Sequence, residues 1–508
     1  MSHIRALSSS MIHRQFYRRA QGVAVALLVC ASVSAAQSPA TSVCNGSAPD
    51  ADARIARIAA RVFPSVLLRD DTTPRALADR MRALNVPGVQ ITVIDGDRIA
   101  WSRGFGVRDA SGAPVTTQTR FQAASLSKPI ASLGVLRLVA DGRLGLDDDV
   151  RRHLRSVALA PTPFLDSGTV TPRLLLSHRA GVAVSGFLGY PQGEAVPTLA
   201  QIIAGAKPAN HPALVVDAVP GRDNRYSGGG YTVMEQVLED VSGQPFPAYL
   251  AREVLAPLGM TRSTYETLSP DAPDDIARGH HGSGQPLVGG WRTHPEHAAA
   301  SLWTTSCDYA QAILAMQRAA RGGSSPLDAR LVREMMTLQA REQGIGVGLK
   351  GAPTPFRFSH TGSNVGYKAI MLGYLDAPRG AVVLTNGDNG SELMNEIVRA
   401  IAEEYGWNDM RPAIRTAVAL DSAEAAPLVG RYEVTPQRAY ELTWRDGSLW
   451  AAPSGRAPQR LHAMAGDSLG FFFDAELFIW PIRDANRRVT GIRWGAPGNA
   501  AEARRVRP

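Results

Sequence analysis

The stretch SLSKPIASLGVLRLVADG, residues 125–142, decides how the rest of the chain is read. Ile130, Leu133, Leu136 and Val139 recur at helical spacing and Gly142 closes the run, so the pattern predicts a helix with Ser125 and Lys128 at its start. Pro129 is admissible only in the first turn, where a missing N–H leaves no gap. Three residues apart, Ser125 and Lys128 share one face. A hydroxyl near a helix N-terminus also lies in a field that favours developing negative charge. The chain holds 50 Arg but only four Lys, at 128, 207, 350 and 368. Arg is a fixed cation, whereas a desolvated Lys can lose its proton and serve as a base. A Ser three residues ahead of a Lys is expected about 0.3 times by chance here, and it occurs once. Taken alone, the tetrad is more often a helix start with a solvated Lys.

Two further segments carry chemistry. Pro220-Gly221 leads into Arg225-Tyr226-Ser227-Gly228-Gly229-Gly230, a tight loop ahead of a helix whose Met234, Val237, Leu238 and Val241 share one face before Gly243. Such a loop aims a Tyr into a site, where a cation such as Lys128 would lower its pKa from about 10. Without that context it reads as a surface Tyr on a flexible turn. The run Phe358-Ser359-His360-Thr361-Gly362-Ser363 ends one strand-like segment before Asn364 to Tyr374 begins another. Gly362 would let the strand edge approach a substrate whose carbonyl oxygen accepts from the backbone amide of Ser363. The plain alternative is a strand with a satisfied His360.

Outward from these segments, Val89, Ile91 and Val93 alternate with Gln90 and Thr92, and the turn at Asp95-Gly96 leads to Ile99–Phe105, a strand hairpin by period and turn residues. Residues 54–84 carry two helical patterns. The texture from 125 to 320 is helical, strands return between Phe356 and Asn386, and a helix follows to about Tyr405. This order predicts one α/β layer built from both ends of the chain around an inserted all-helical lobe. After Pro412, alternating segments separated by Asp446-Gly447 and Asp484 to Asn486 predict a small antiparallel barrel. It shows no cluster of acids, histidines or thiols and reads as a packing or lid module.

In this order the three segments resemble the serine β-lactamase and penicillin-binding-protein superfamily, as Ser-x-x-Lys, Tyr-x-Asn and Lys/His-x-Gly. Pro87-Gly88-Val89-Gln90-Ile91, Asp141-Gly142-Arg143-Leu144, Val170 to His178, Pro257-Leu258-Gly259-Met260 and Ala300 to Asp308 are similar to its class C β-lactamase-like branch. The resemblance implies an α+β fold with an antiparallel sheet flanked by helices. Its domains would be a signal peptide (1–36), a linker (37–54), a hydrolase domain (55–410), a second linker (411–424) and a β domain (425–508) similar to the lipocalin-like module of some D-aminopeptidases. It also implies Ser125 as acylated nucleophile, Lys128 and Tyr226 sharing proton transfer, and His360 with Thr361 and Gly362 on the substrate side. The oxyanion hole would be the amides of Ser125 and Ser363. The only Glu between Lys128 and Tyr226 is Glu194, outside any Glu-x-x-Leu-Asn setting, so Tyr226 is the candidate to activate the deacylating water.

Two departures point away from efficient β-lactam handling. Gly228 stands where the family has Asn, removing an amide that contacts substrate and helps position Lys128, and His360 stands where β-lactamases have Lys. The expected activity is acyl transfer on a small ester, amide or D-amino-acid peptide. The alternatives are a weak class C-like β-lactamase or DD-carboxypeptidase and, from another class, a non-catalytic penicillin-binding or sensor protein. His178 belongs to a helix end, His280, His281, His294 and His297 read as loop residues, and no metal or other cofactor is expected.

The 508 residues are 44% hydrophobic and 20% charged, enough to bury a core and unlike a disordered chain. Arg14, Arg18 and Arg19, the apolar run Gly22 to Val33 and small Ser34 to Ala36 predict a removable secretory signal peptide, hence a periplasmic or extracellular protein with no further transmembrane segment. Without those 36 residues Lys+Arg falls from 54 to 50 while Asp+Glu stays at 46, and the net charge falls from +8 to +4. The basic residues are interleaved with acids, which excludes a nucleic-acid surface. Cys44 and Cys307 could pair in an oxidising compartment, but their distance in sequence favours free thiols.

Overall fold

Alternation in the two outer thirds of the hydrolase segment builds the central sheet. In the computed structural model, which describes residues 48–506 apart from 72, 74, 270–274, 436–437, 454–457, 465–469, 473–477 and 497–498, it has six strands. They are β1 (Gly88–Asp95), β2 (Arg98–Gly106), β3 (Gly348–Lys350), β4 (Arg357–Asn364), β5 (Tyr367–Tyr374) and β6 (Arg379–Thr385), in the spatial order β2-β1-β6-β5-β4-β3. Every neighbouring pair is antiparallel. Gly96 (φ +63°) and Asp97 (φ +62°) make the tight β1–β2 turn, where both residues must be left-handed to match the strand twist.

Side chains of successive strand residues point to opposite faces, so the sheet feeds two cores. Val89, Ile91, Val93, Ile370, Leu372, Ala381 and Val383 pack with helices α1 (Ala51–Ala60) and α6 (Gly390–Tyr405). Met371, Val382 and Leu384 join the larger core, which holds α2 (Ser127–Ala140), α3 (Gly228–Ser242) and α5 (Ser306–Ala320). The polar half of the β1 alternation is not solvated: Gln90 and Thr92 are fully buried. Gln90 Nε2 donates to the carbonyls of Thr116 (2.6 Å) and Thr119 (2.9 Å), its Oε1 accepts from Ser306 N, and Thr92 Oγ1 lies 2.7 Å from Ser306 Oγ. A buried polar row on the strand thus fixes the start of α5. α2 is buried nearly all round, which marks it as the central helix of the inserted lobe. That lobe also contains two short strand pairs, Phe121–Gln122 with Trp303–Thr304 and Tyr190–Pro191 with Arg292–Thr293.

Eight strands, β7 (Gly430–Thr435), β8 (Arg438–Arg445), β9 (Ser448–Pro453), β10 (Gln459–Met464), β11 (Gly470–Phe472), β12 (Phe478–Arg483), β13 (Val489–Ala496) and β14 (Asn499–Arg505), close an antiparallel barrel. Each pairs with the next, and β14 returns to β7 through Tyr432↔Arg505, leaving no open edge. Leu442, Leu449, Phe471, Ile479 and Ile492 fill a third core. The barrel meets the hydrolase body where Val66–Leu68 pairs with Ala413–Arg415, Val418 bridges Ala463, and the Arg415 guanidinium lies 4.8 Å from the Phe478 ring.

The predicted signal peptide, Cys30 and Cys44 lie outside the described residues. Cys307, at the start of α5, is buried and disulfide-bonded, which overturns the expectation of free thiols. Sequence distance misleads here because the fold folds back on itself: Ala48 N donates to Ala100 O on the outer strand β2 (3.0 Å), beside the sheet on which α5 lies.

Candidate active site

Ser125 sits in a 3-10 turn (Ala124–Leu126) that runs directly into α2, one step before the α-helix proper. Ala124 is left-handed (φ +51°), a conformation unfavourable for a residue with a Cβ and found where surrounding packing over-determines the backbone. Lys128 Nζ lies 3.0 Å from Ser125 Oγ and donates to Ala299 O at 2.7 Å. The side chain is almost wholly buried, and desolvation pulls the ammonium down from 10.5 to about 7. The carbonyl of Ala299 belongs to the short helix α4 (His297–Ala300). Glu235 of α3 pins that helix, accepting from Ala298 N (2.8 Å) and bonding His297 Nδ1 (2.8 Å). Lys128 is therefore positioned by a backbone carbonyl.

The Lys128 nitrogen lies 5.0 Å from the Tyr226 ring centroid. The Tyr226 phenol moves up, to about 12, rather than down. Burial dominates, while the Ser125 hydroxyl acts to lower the phenol's pKa. The residue as a whole remains 40% exposed. His178 brackets this Tyr: its carbonyl accepts from Arg225 N (2.9 Å), its Nδ1 accepts from Ser227 N (3.1 Å), and its ring lies 4.3 Å from the Tyr226 ring. Burial, with Lys128 and His360 nearby, holds His178 well below the usual imidazole range.

His360, Thr361, Gly362 and Ser363 lie on β4. The strand pairs with β3 only as far as Ser359, so residues 360–364 turn their outer edge to the Ser125 turn. At Gly362 an added Cβ would stand 2.3 Å from Ala123 O, so the glycine lets the strand edge come close to the turn that carries Ser125. The segments bearing the amides of Ser125 and Ser363 are thereby in contact. Asn364 Nδ2 locks them by donating to Gln122 Oε1 (2.9 Å) and Ala300 O (3.1 Å). The His360 ring lies 6.2 Å from that of Tyr226, Nδ1 is held 2.7 Å from Thr361 O, and burial beside Lys128 lowers its pKa to about 3. It is a neutral imidazole, not a substitute cation.

His280, His281 and His294 lie outside the helices and strands, as expected, whereas His297 opens α4. His280 and His294 are buried, and His297 is bonded to Glu235 within the support of Lys128. Among the described residues no group of three or more His, Cys, Asp or Glu side chains is arranged to hold a metal ion.

A family model described as Beta-lactamase matches residues 74–405. The chain is 24% identical over 417 residues to penicillin-binding protein 4* of Bacillus subtilis (strain 168), covering 76% of this chain and 87% of that protein. Its fold is similar to that of the octameric penicillin-binding protein homologue from Pyrococcus abyssi (20% identity, 84% of this chain and 98% of that one, TM-score 0.57). It is also similar to the D-amino acid amidase from Ochrobactrum anthropi SV3 (21% identity, 65% and 97%, TM-score 0.51). With the family model spanning most of the hydrolase body and a Ser beside a desolvated Lys within it, the chain belongs to the β-lactamase family and is a serine hydrolase.

Proposed function

We infer that the protein is an exported hydrolase that forms an acyl-enzyme at Ser125 on small esters, amides or D-amino-acid peptides. The observation that carries this reading is the 3.0 Å contact between Ser125 Oγ and an amine brought to about 7 by burial. Neutral Lys128 takes the hydroxyl proton as Oγ attacks the carbonyl carbon, and the amides of Ser125 and Ser363 receive the oxyanion. On collapse the leaving group takes a proton from Tyr226, and the proton on Lys128 passes to the phenolate, restoring both neutral groups. In deacylation neutral Lys128 takes the proton of the attacking water as its oxygen bonds to the acyl carbon; on collapse Ser125 Oγ leaves and recovers a proton from Tyr226, and the proton on Lys128 passes to the phenolate. The raised phenol suits a proton donor to the leaving group better than a resting phenolate base. Export is supported by the basic-then-apolar head of the sequence and by a disulfide at Cys307, a bond that persists in oxidising compartments.

The test is a parallel screen of the mature protein on p-nitrophenyl esters, a chromogenic cephalosporin and D-alanyl peptides, with intact-mass detection of the acyl adduct. Ser125→Ala is expected to lose at least about 99% of kcat and the adduct while keeping its fold. Adduct formation with no turnover on any substrate would favour a binding or sensor protein.

A further inference from the structure

The loop that caps α3 also fills the place of a missing side chain. Gly228 is the first residue of α3, two positions beyond Tyr226. A Cβ built on it would stand 3.0 Å from Phe187 Cε2 and 3.1 Å from Ser185 O. The loop is fixed from several sides: Gly228 N donates to Ser185 O (3.1 Å), Gly229 N to Val184 O (3.0 Å), Asn210 Nδ2 to Gly189 O (3.1 Å) and Arg292 Nη1 to Leu188 O (3.1 Å). Val184 is left-handed (φ +68°), rare for a β-branched residue and stable only where the surroundings impose it. Phe187 is half-buried, its ring edge-on to His211 at 4.9 Å, and next to it Leu188 leaves 64% of its surface exposed.

We propose that Phe187 is a specificity-determining residue of this hydrolase: it replaces a polar contact at the start of α3 with an aromatic wall, so the preferred substrates are esters with an extended apolar acyl group. This rests on Ser125 being the acylated residue. An aromatic face accepts a hydrocarbon chain and returns no hydrogen bond to an amide on the acyl side, so a polar acyl amide entering there would be left unpaired. Leu188 extends the apolar surface outward from the same loop.

The experiment compares kcat/KM on p-nitrophenyl acetate, butyrate and hexanoate for the full chain, Phe187→Ala, Phe187→Asn and Phe187→Leu, with acetylation of Ser125 by p-nitrophenyl acetate followed by intact mass. The wild type is expected to prefer hexanoate over acetate by at least about tenfold. Phe187→Ala and Phe187→Asn should each lower that ratio about fivefold or more, and Phe187→Leu should keep most of it. A wild type that acetylates Ser125 but shows no preference for longer acyl chains overturns the proposal. So does an unchanged ratio in a folded Ala or Asn variant that still acetylates Ser125. Absence of both adduct and turnover would instead overturn the assignment of Ser125, and the proposal with it.

Discussion

At the scale of single residues, the proposed chemistry turns on Lys128 acting as a base by virtue of its burial. Below its pKa of about 7 the amine is protonated and cannot take the Ser125 proton. Thus kcat/KM should rise tenfold per pH unit toward a plateau above about 7, with no falling limb from Tyr226 in the accessible range. Lys128→Arg should be inactive at every pH tested, because Arg keeps the charge and cannot release the proton; a pH–rate series on both proteins checks this. A second prediction concerns Gly228. Restoring the family Asn there cannot simply restore its contact, since Phe187 and Ser185 O already stand against that Cβ position. Gly228→Asn is expected to cost about 1–3 kcal/mol through overpacking. Phe187→Ala in the same chain should relieve part of it, so that denaturant-derived costs of the two changes fall short of additive by about 1 kcal/mol.

Among elements, the smallest has a large role. Helix α4 is four residues long, yet its Ala299 carbonyl orients Lys128, and Glu235 holds its first turn. Glu235→Ala would leave the Ala298 amide and the His297 ring without that carboxylate in a buried place. The expected loss is about 3 kcal/mol of unfolding free energy with a fall in kcat, measured by urea titration and steady-state kinetics. This element also marks the limit of what sequence reading reaches. The Ser125–Lys128 pair was legible because both residues lie within one turn and carry distinctive chemistry, and the hairpin was legible from its period and its Asp-Gly turn. A backbone carbonyl 171 residues away has no residue-type signature. Nor does the burial of Gln90 and Thr92, since their partner Ser306 arrives more than 200 residues later and makes the polar row an anchor. His178 was visible as a helix end, but its grip on both sides of Tyr226 follows from a left-handed backbone (φ +60°) that only the fold reveals.

Across the whole molecule, two of the three cores share one sheet, and the barrel has its own core and its own closed hydrogen-bond ladder. The two sheet cores should therefore unfold together and the barrel separately, giving two calorimetric transitions; a single transition with equal calorimetric and van't Hoff enthalpies would show instead that the junction at Ala413–Arg415 and Val418 couples them. The sheet carries one more consequence, in the order of synthesis. β1 and β2 are made early, but the inner edge of β1 must wait for β6, about 290 residues further along the chain. At about 5–20 residues per second that interval is tens of seconds. Throughout it the early hairpin presents an unpaired edge and an apolar face, so the nascent chain depends on chaperones or on being kept unfolded until its second half emerges.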